Sequence, residues 1–360
     1  MTASAADPLV YFGTYTRGDS ASEGIYVSTL SDDGVLGEPT LAAEIDNPSF
    51  VALSPDGRFL YSVAEVADMA DGGRKKSGGV AAFAIGDDGT LRRLNIRPTG
   101  GGGACHLSLT PDGRTVMVAN YGGGSVASFP VGDDGSLGER ASLIQHTGGS
   151  GVVAKRQAEP HAHSINPSPD GRFAFVCDLG LDQIKVYRLD GSKLVPTDLD
   201  IDTPPGGGPR HFAFHPDGTR AYANLELSHD LVAMDYDADS GQLTVTGVFP
   251  TRPDGYDGNG GTAECLVHPS GRAVYVTNRG HDSVAVFDVT GDMPKRLQIA
   301  EAGGPIPRGF GLSPDGRFAI VCHQNGDTVQ GMAAADDGTL TPTGEPIAIG
   351  TPVNARVLSR

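Results

Sequence analysis

Apolar residues alternate with small or polar ones in short runs along the whole chain, and each run stops at a turn-forming cluster. Between residues 49 and 97 the pattern is complete. SFVAL (49–53), FLYSV (59–63), VAAFAI (80–85) and LRRLNIR (91–97) read as four strands of period two, rich in β-branched and aromatic residues. Ser54-Pro55-Asp56-Gly57 joins the first two strands and Asp87-Asp88-Gly89-Thr90 the last two, both of them tight-turn signatures. The apolar period of a helix is absent throughout.

Both turns recur. The first returns at Pro111, Pro169, Pro216, Pro314 and, with serine for aspartate, at Pro269, so that the prolines step by 45 to 58 residues. The second starts at Asp32, Asp87, Asp133, Asp190, Asp239, Asp292 and Asp336. A four-stranded unit repeated at this spacing cannot bury both its faces alone and must stack on its neighbours. The predicted fold is therefore all-β, a single-domain seven-bladed β-propeller of four-stranded antiparallel blades. Residues 9–13 (LVYFG) match a second strand and 24–30 a third, with no first strand before them, while 351–358 (TPVNARVL) match the first strand at 47–53. The C-terminal strand is expected to join the N-terminal blade and close the ring, which removes two aggregation-prone sheet edges. The blades are expected at 8–46 plus 351–359, 47–99, 104–147, 160–203, 208–251, 262–302 and 306–350.

Chain order also decides which side chains can meet. If first strands run from face A to face B, both turn types lie on face B. Face A then collects the segments leading into first strands and the loops that leave second strands. The lead-ins supply His106, His161, His163, Arg210, His211, Glu264 and Arg308; the loops supply Arg17, Tyr121, Glu226, Arg279 and His323, among others. Of the ten histidines only His146, His215 and His268 fall elsewhere. The stretch 206–218 (GGGPRHFAFHPDG) holds both halves of the design, a flexible polar lead-in and a strand running into its turn.

Composition narrows the function. Hydrophobic residues make up 38% of the 360, enough for a large core, and the formal charge of −17 argues against nucleic acid and anionic membranes as partners. No basic segment followed by a long apolar run opens the chain, and no stretch approaches the roughly 18 apolar residues of a membrane span. A cytoplasmic protein acting on a small molecule, as a monomer or weak homodimer, is the expectation. The four cysteines are far apart within apolar segments and read as buried free thiols. Aspartates present at nearly every turn read as turn chemistry. His161 and His163, two apart, can face the same way as metal ligands, but no third ligand stands out beside them, so no metal or other cofactor is expected. The glycine clusters at 100–103, 122–124 and 206–208 precede neither a helix start nor a GK[ST] motif and read as close approach between blades.

Gly208-Pro209-Arg210-His211-Phe212 with His215-Pro216, Asn224-Leu225-Glu226-Leu227, Pro160-His161-Ala162-His163-Ser164, Asp178-Leu179-Gly180, Thr277-Asn278-Arg279 and Pro307-Arg308-Gly309-Phe310 resemble one family. It is that of the seven-bladed propeller lactonases, which joins bacterial 6-phosphogluconolactonases to fungal muconate-lactonizing enzymes. The resemblance implies a metal-independent site at one channel mouth. It places Arg210, Glu226 and His163, or else His161, in the catalytic positions, and a second arginine at Arg279 or Arg308. His161, His211, Arg279, Arg308, His106 and His323 become the expected substrate-binding set. The implied reaction is hydrolysis of a sugar lactone, 6-phosphogluconolactone to 6-phosphogluconate in the pentose phosphate pathway. His163 or Glu226 would activate water, Arg210 would face the oxyanion, and Arg279 and Arg308 would hold the phosphate. The alternatives are a muconate-type cycloisomerase that uses the same groups, or a non-catalytic propeller scaffold, against which the absence of tryptophan speaks. The long glycine-rich loops at 67–79 and 148–159 depart from the family pattern.

Overall fold

The structure is a computed structural model that describes residues 7–70 and 77–360. Residues 1–6 of the N-terminal stretch and residues 71–76 of the glycine-rich loop at 67–79 lie outside the described residues.

Turn chemistry sets where the strands begin and end. At the first turn of the second blade Gly57 takes a φ of 69°, a left-handed conformation that favours glycine, and its N–H donates to Ser54 O at 2.9 Å. Ser54 Oγ donates to Asp56 Oδ1 at 2.6 Å and accepts from Phe59 N at 2.9 Å, while Asp56 Oδ1 also accepts from Arg58 N at 3.2 Å. The same hydroxyl-to-carboxylate bond recurs at Thr110–Asp112, Ser168–Asp170 and Ser313–Asp315. These aspartates are therefore committed to their own turns. Where histidine replaces the hydroxyl residue, its ring reaches the next blade: Nε2 of His215 lies 2.6 Å from Gly271 O, and Nε2 of His268 lies 2.9 Å from Gly316 O.

Seven antiparallel sheets result, and among the described residues no helix is long and apolar enough to cross a membrane. The second blade consists of Val51–Leu53, Phe59–Ala64, Gly79–Ile85 and Leu91–Pro98. The fourth adds a short fifth strand, Ile201–Asp202, beside Gln183–Asp190. In the first blade Pro352–Leu358 supplies the inner strand beside Leu9–Thr14, with Leu9 opposite Leu358 and Gly13 opposite Asn354, and Gly24–Thr29 and Thr40–Glu44 complete it. The seven-bladed ring is thus closed by its C-terminal strand.

Stacking explains the burial pattern. Second strands lie between two neighbouring blades and are buried along their whole length in Leu9–Thr14, Thr115–Asn120, Phe173–Asp178 and Phe318–His323. Hydrophobic clusters fill the junctions. Phe175, Phe212, Val232 and Met234 join the fourth blade to the fifth, and Val10, Phe12, Ile320, Val329, Ala355 and Val357 join the seventh to the first. The apolar core is a ring of such junctions, and the inner strands also bury polar side chains, among them His106, His211, Glu264 and Asn354.

Candidate active site

The inner strands break their own alternation at face A. Pairing of inner with second strand slips by one residue between Ala104 and His106, between Ala162 and Ser164, and between Pro307 and Gly309. Similar slips span Pro209 to Phe212 and Thr262 to Cys265. A β-bulge re-aims the extra side chain out of the regular pleat, and the residues concerned are Cys105, His163, Arg308, Arg210 with His211, and Ala263 with Glu264. Second strands contribute the residue just past their ends, namely Tyr15, Glu65, Tyr121, Glu226 and Gln324, and the sixth blade contributes Arg279 at its strand end. Those residues, with Cys105, His163, Arg308, Arg17 and Arg156, line a cavity of about 310 Å³. A wider cleft of about 530 Å³ lies beside Thr16, Glu44, Asp46 and Arg93. Of these two, the smaller combines buried cations, carboxylates and an imidazole, a combination typical of a reactive site.

Glu226 is the hub. Its Oε2 accepts from Arg210 Nε at 2.9 Å and lies 3.2 Å from Arg279 Nη2, and its Oε1 accepts from Arg156 Nη2 at 2.7 Å. Burial raises the carboxyl, but Arg279, Arg210 and Arg156 together outweigh it and hold it down at about 2. His163 Nε2 stands 4.0 Å from Glu226 Oε2. Burial first, then the charges of Arg210, His211 and Arg308, push His163 well below the usual imidazole value, so its ring is neutral at neutral pH. Across the cavity, Tyr15 Oη donates to Glu65 Oε2 at 2.9 Å and accepts from Arg308 Nη2 at 3.0 Å. Arg308 forms no ion pair with any carboxylate among the described residues and keeps donors for a ligand. Arg279 is more fully committed, since Gly261 O (3.2 Å) and Thr262 O (2.9 Å) also accept from it.

The expected site residues therefore separate. His163, Glu226, Arg279 and Arg308 line the cavity. Arg210 sits behind Glu226, buried, and also donates to Ala263 O. His211 and His106 do not line the cavity: both are buried, with His211 5.4 Å from the His163 ring and 5.2 Å from the His106 ring. His211 Nδ1 hydrogen-bonds Glu264 Oε1, while His106 packs on Phe50 at 4.2 Å between ring centres. His161 and His163 do not converge as a ligand pair, because the bulge at His163 cancels the expected alternation. His161 instead stacks on Tyr121 at 4.5 Å, with Nδ1 3.0 Å from Tyr121 O. Among the described residues no three His, Cys, Asp or Glu side chains are grouped to hold a metal ion. His323 does not reach the cavity: its Nε2 is 2.7 Å from Ala302 O and its Nδ1 3.1 Å from Thr328 Oγ1. Sequence reasoning placed Arg17 and Tyr121 on this face but did not single out Tyr15, Glu65, Cys105, Arg156 or Gln324. Tyr15, Glu65 and Gln324 share one legible signal, the first position after a second strand.

Residues 9–357 match the family model described as Lactonase, 7-bladed beta-propeller. The chain belongs to the seven-bladed propeller lactonase family. It is 35% identical to the 6-phosphogluconolactonase of Bacillus subtilis, over 97% of each chain. The solved structure of the periplasmic gluconolactonase of Pseudomonas aeruginosa aligns with a TM-score of 0.90 and 32% identity, covering 98% of this chain and 99% of that one. A Lactobacillus plantarum protein aligns with a TM-score of 0.89 and 31% identity over 98% and 100%. Membership over this length supports a lactone-hydrolysing enzyme.

Proposed function

We propose that the chain hydrolyses a phosphorylated sugar lactone, 6-phosphogluconolactone to 6-phosphogluconate, a reaction of the pentose phosphate pathway. The observation that carries this reading is the charge of the cavity, four arginines against two carboxylates, on a chain whose formal charge is −17. Opening a lactone requires an activated water and fixed positive charge where the carbonyl oxygen becomes anionic. A phosphoryl group requires further guanidinium donors.

In this reading neutral His163 is the base. It takes a proton from water as the water oxygen bonds to the carbonyl carbon, and Arg308 faces the developing oxyanion with its uncommitted donors. Collapse of the tetrahedral intermediate breaks the bond to the ring oxygen, which receives the proton back from His163. Glu226, ionised and 4.0 Å from His163 Nε2, stabilises the transient imidazolium. Glu226 is the poorer base because the arginines that hold it also suppress its proton affinity. Arg210 and Arg279 act by holding Glu226 in place. The Bacillus subtilis relative, named for the phosphorylated lactone, supports this substrate class.

The test is a hydrolysis assay of the purified protein on 6-phosphogluconolactone, glucono-δ-lactone and a muconolactone, each corrected for spontaneous opening. Turnover fastest on the phosphorylated lactone is expected. Turnover of the muconolactone alone would point to a cycloisomerase, and no turnover of any would leave a binding scaffold.

A further inference from the structure

The loop joining the third blade to the fourth, residues 147–160, occurs once in the chain and brings Arg156 to the cavity from outside the repeat. It is pinned at several points to one short segment, 178–182. At its start, His146 Nδ1 lies 2.6 Å from Asp178 Oδ2, and His146 Nε2 lies 2.7 Å from Tyr187 Oη. At its end, His161 N donates to the other oxygen, Asp178 Oδ1, at 2.8 Å. Between these, Ser150 N donates to Gly180 O at 2.9 Å. Gln157, fully buried, donates to Leu179 O at 2.9 Å and to Asp182 Oδ1 at 2.5 Å. Asp182 also accepts from Gly206 N and Gly208 N, which ties the loop to the lead-in of Arg210.

An ordinary surface connection does not need a buried glutamine and two buried carboxylates beneath it. What this arm presents is one guanidinium, 39% exposed and steadied by Tyr121 Oη (3.1 Å) and Glu226 Oε1 (2.7 Å), both bonded through Nη2. Its Nε and Nη1 have no protein acceptor among the described residues. Arg308, which also keeps uncommitted donors, comes from the seventh blade, nearly half a ring away; the remaining loosely held cavity arginine, Arg17, is more exposed and lies 3.5 Å from Glu65 and over the Tyr15 ring. A phosphorylated lactone needs positive charge at two separated points, the phosphoryl group and the carbonyl oxygen that becomes anionic, and Arg156 and Arg308 supply them.

We infer that Arg156 is the specificity-determining residue that binds the phosphoryl group of the substrate, presented by an arm anchored through Gln157, Asp178 and Asp182. This rests on the lactonase reading above and assigns Arg308 to the carbonyl end and Arg156 to the phosphate end.

The experiment compares wild type, Arg156→Ala and Arg156→Lys in steady-state kinetics on 6-phosphogluconolactone and glucono-δ-lactone, with melting curves to verify folding. Arg156→Ala is expected to reduce the kcat/KM preference for the phosphorylated lactone by about 10- to 100-fold through KM, the loss of one charge-assisted contact. Arg156→Lys, which keeps the charge without the planar fork and guards against a misfolded alanine variant, should fall between. A folded Arg156→Ala enzyme with unchanged preference overturns the assignment and leaves the lactonase reading standing. If wild type opens neither lactone, the lactonase reading fails, and calorimetric titration with inorganic phosphate decides the assignment alone. Binding by wild type that is lost in Arg156→Ala supports it, and no binding, or equal binding, overturns it.

Discussion

His163 stands where its own basicity is suppressed: it is buried, and the nearest fixed charges besides Glu226 are cations. A suppressed base gives up driving force for proton transfer but is never lost to protonation near neutrality. A bound phosphoryl group would offset part of the arginine field and restore basicity when substrate is present. The base form exists above the pKa, so activity should fail only as pH drops through it, and that pKa lies well below 6.5 in the free protein. The pH profile of kcat/KM, which reports the free enzyme, should therefore stay flat from about pH 7.5 to about pH 6. An acid limb centred near pH 6.5 would overturn this suppression of His163. Cys105 shares this surrounding with the opposite outcome. Burial pushes its thiol up to about 12, which makes it a neutral wall of the cavity and not a nucleophile.

Strand and turn determine which of these residues were legible in the sequence. The blades were readable because the turn chemistry repeats, and Asp56, Asp112, Asp170 and Asp315 make the same bond in the same place. Face A was readable because strand order alone sorts residues between the two mouths. The bulges were not, since inference from alternation assumes an unbroken pleat; His161 and His163 were given a common direction that the extra residue removes. Nor was the Arg156 arm, because a loop used once has no period to betray it, and nothing in its glycine-rich sequence shows that Gln157 pins it. The turns permit a clean separation of stability from activity. Asp170→Ala removes the acceptor of Ser168 Oγ (2.6 Å) and Arg172 N (3.0 Å) on face B, far from the cavity. A loss of about 1–2 kcal/mol and a Tm lower by a few degrees are expected, with kcat/KM unchanged. A comparable fall in kcat/KM would mean that face B turns couple to the site.

At the scale of the whole ring, each blade completes its core only against its neighbours, so the seventh and first blades depend on a strand drawn from the far end of the chain. Pro352–Leu358 contributes there in three ways. It pairs along the length of Leu9–Thr14, it buries Ala355 and Val357 among Val10, Phe12 and Ile320, and through Asn354 Oδ1 it accepts from Val51 N (3.1 Å) in the second blade. Deleting 352–358 removes all three contributions at once and bares an edge whose free N–H and C=O groups recruit other chains. It also removes the inner wall beside Arg308, since Gly309 and Gly311 of the seventh blade's inner strand pack against Val353 and Ala355 so closely that even a Cβ would collide. The truncated chain should melt well below wild type, aggregate on concentration, and lose lactone turnover before it loses its β-sheet circular dichroism signal, because the cavity spans the ring while most blades are remote from the seam. Melting and solubility indistinguishable from wild type would mean that the other six junctions hold the ring without its seam, and the C-terminal strand would then be an ornament of the first blade and not its closure.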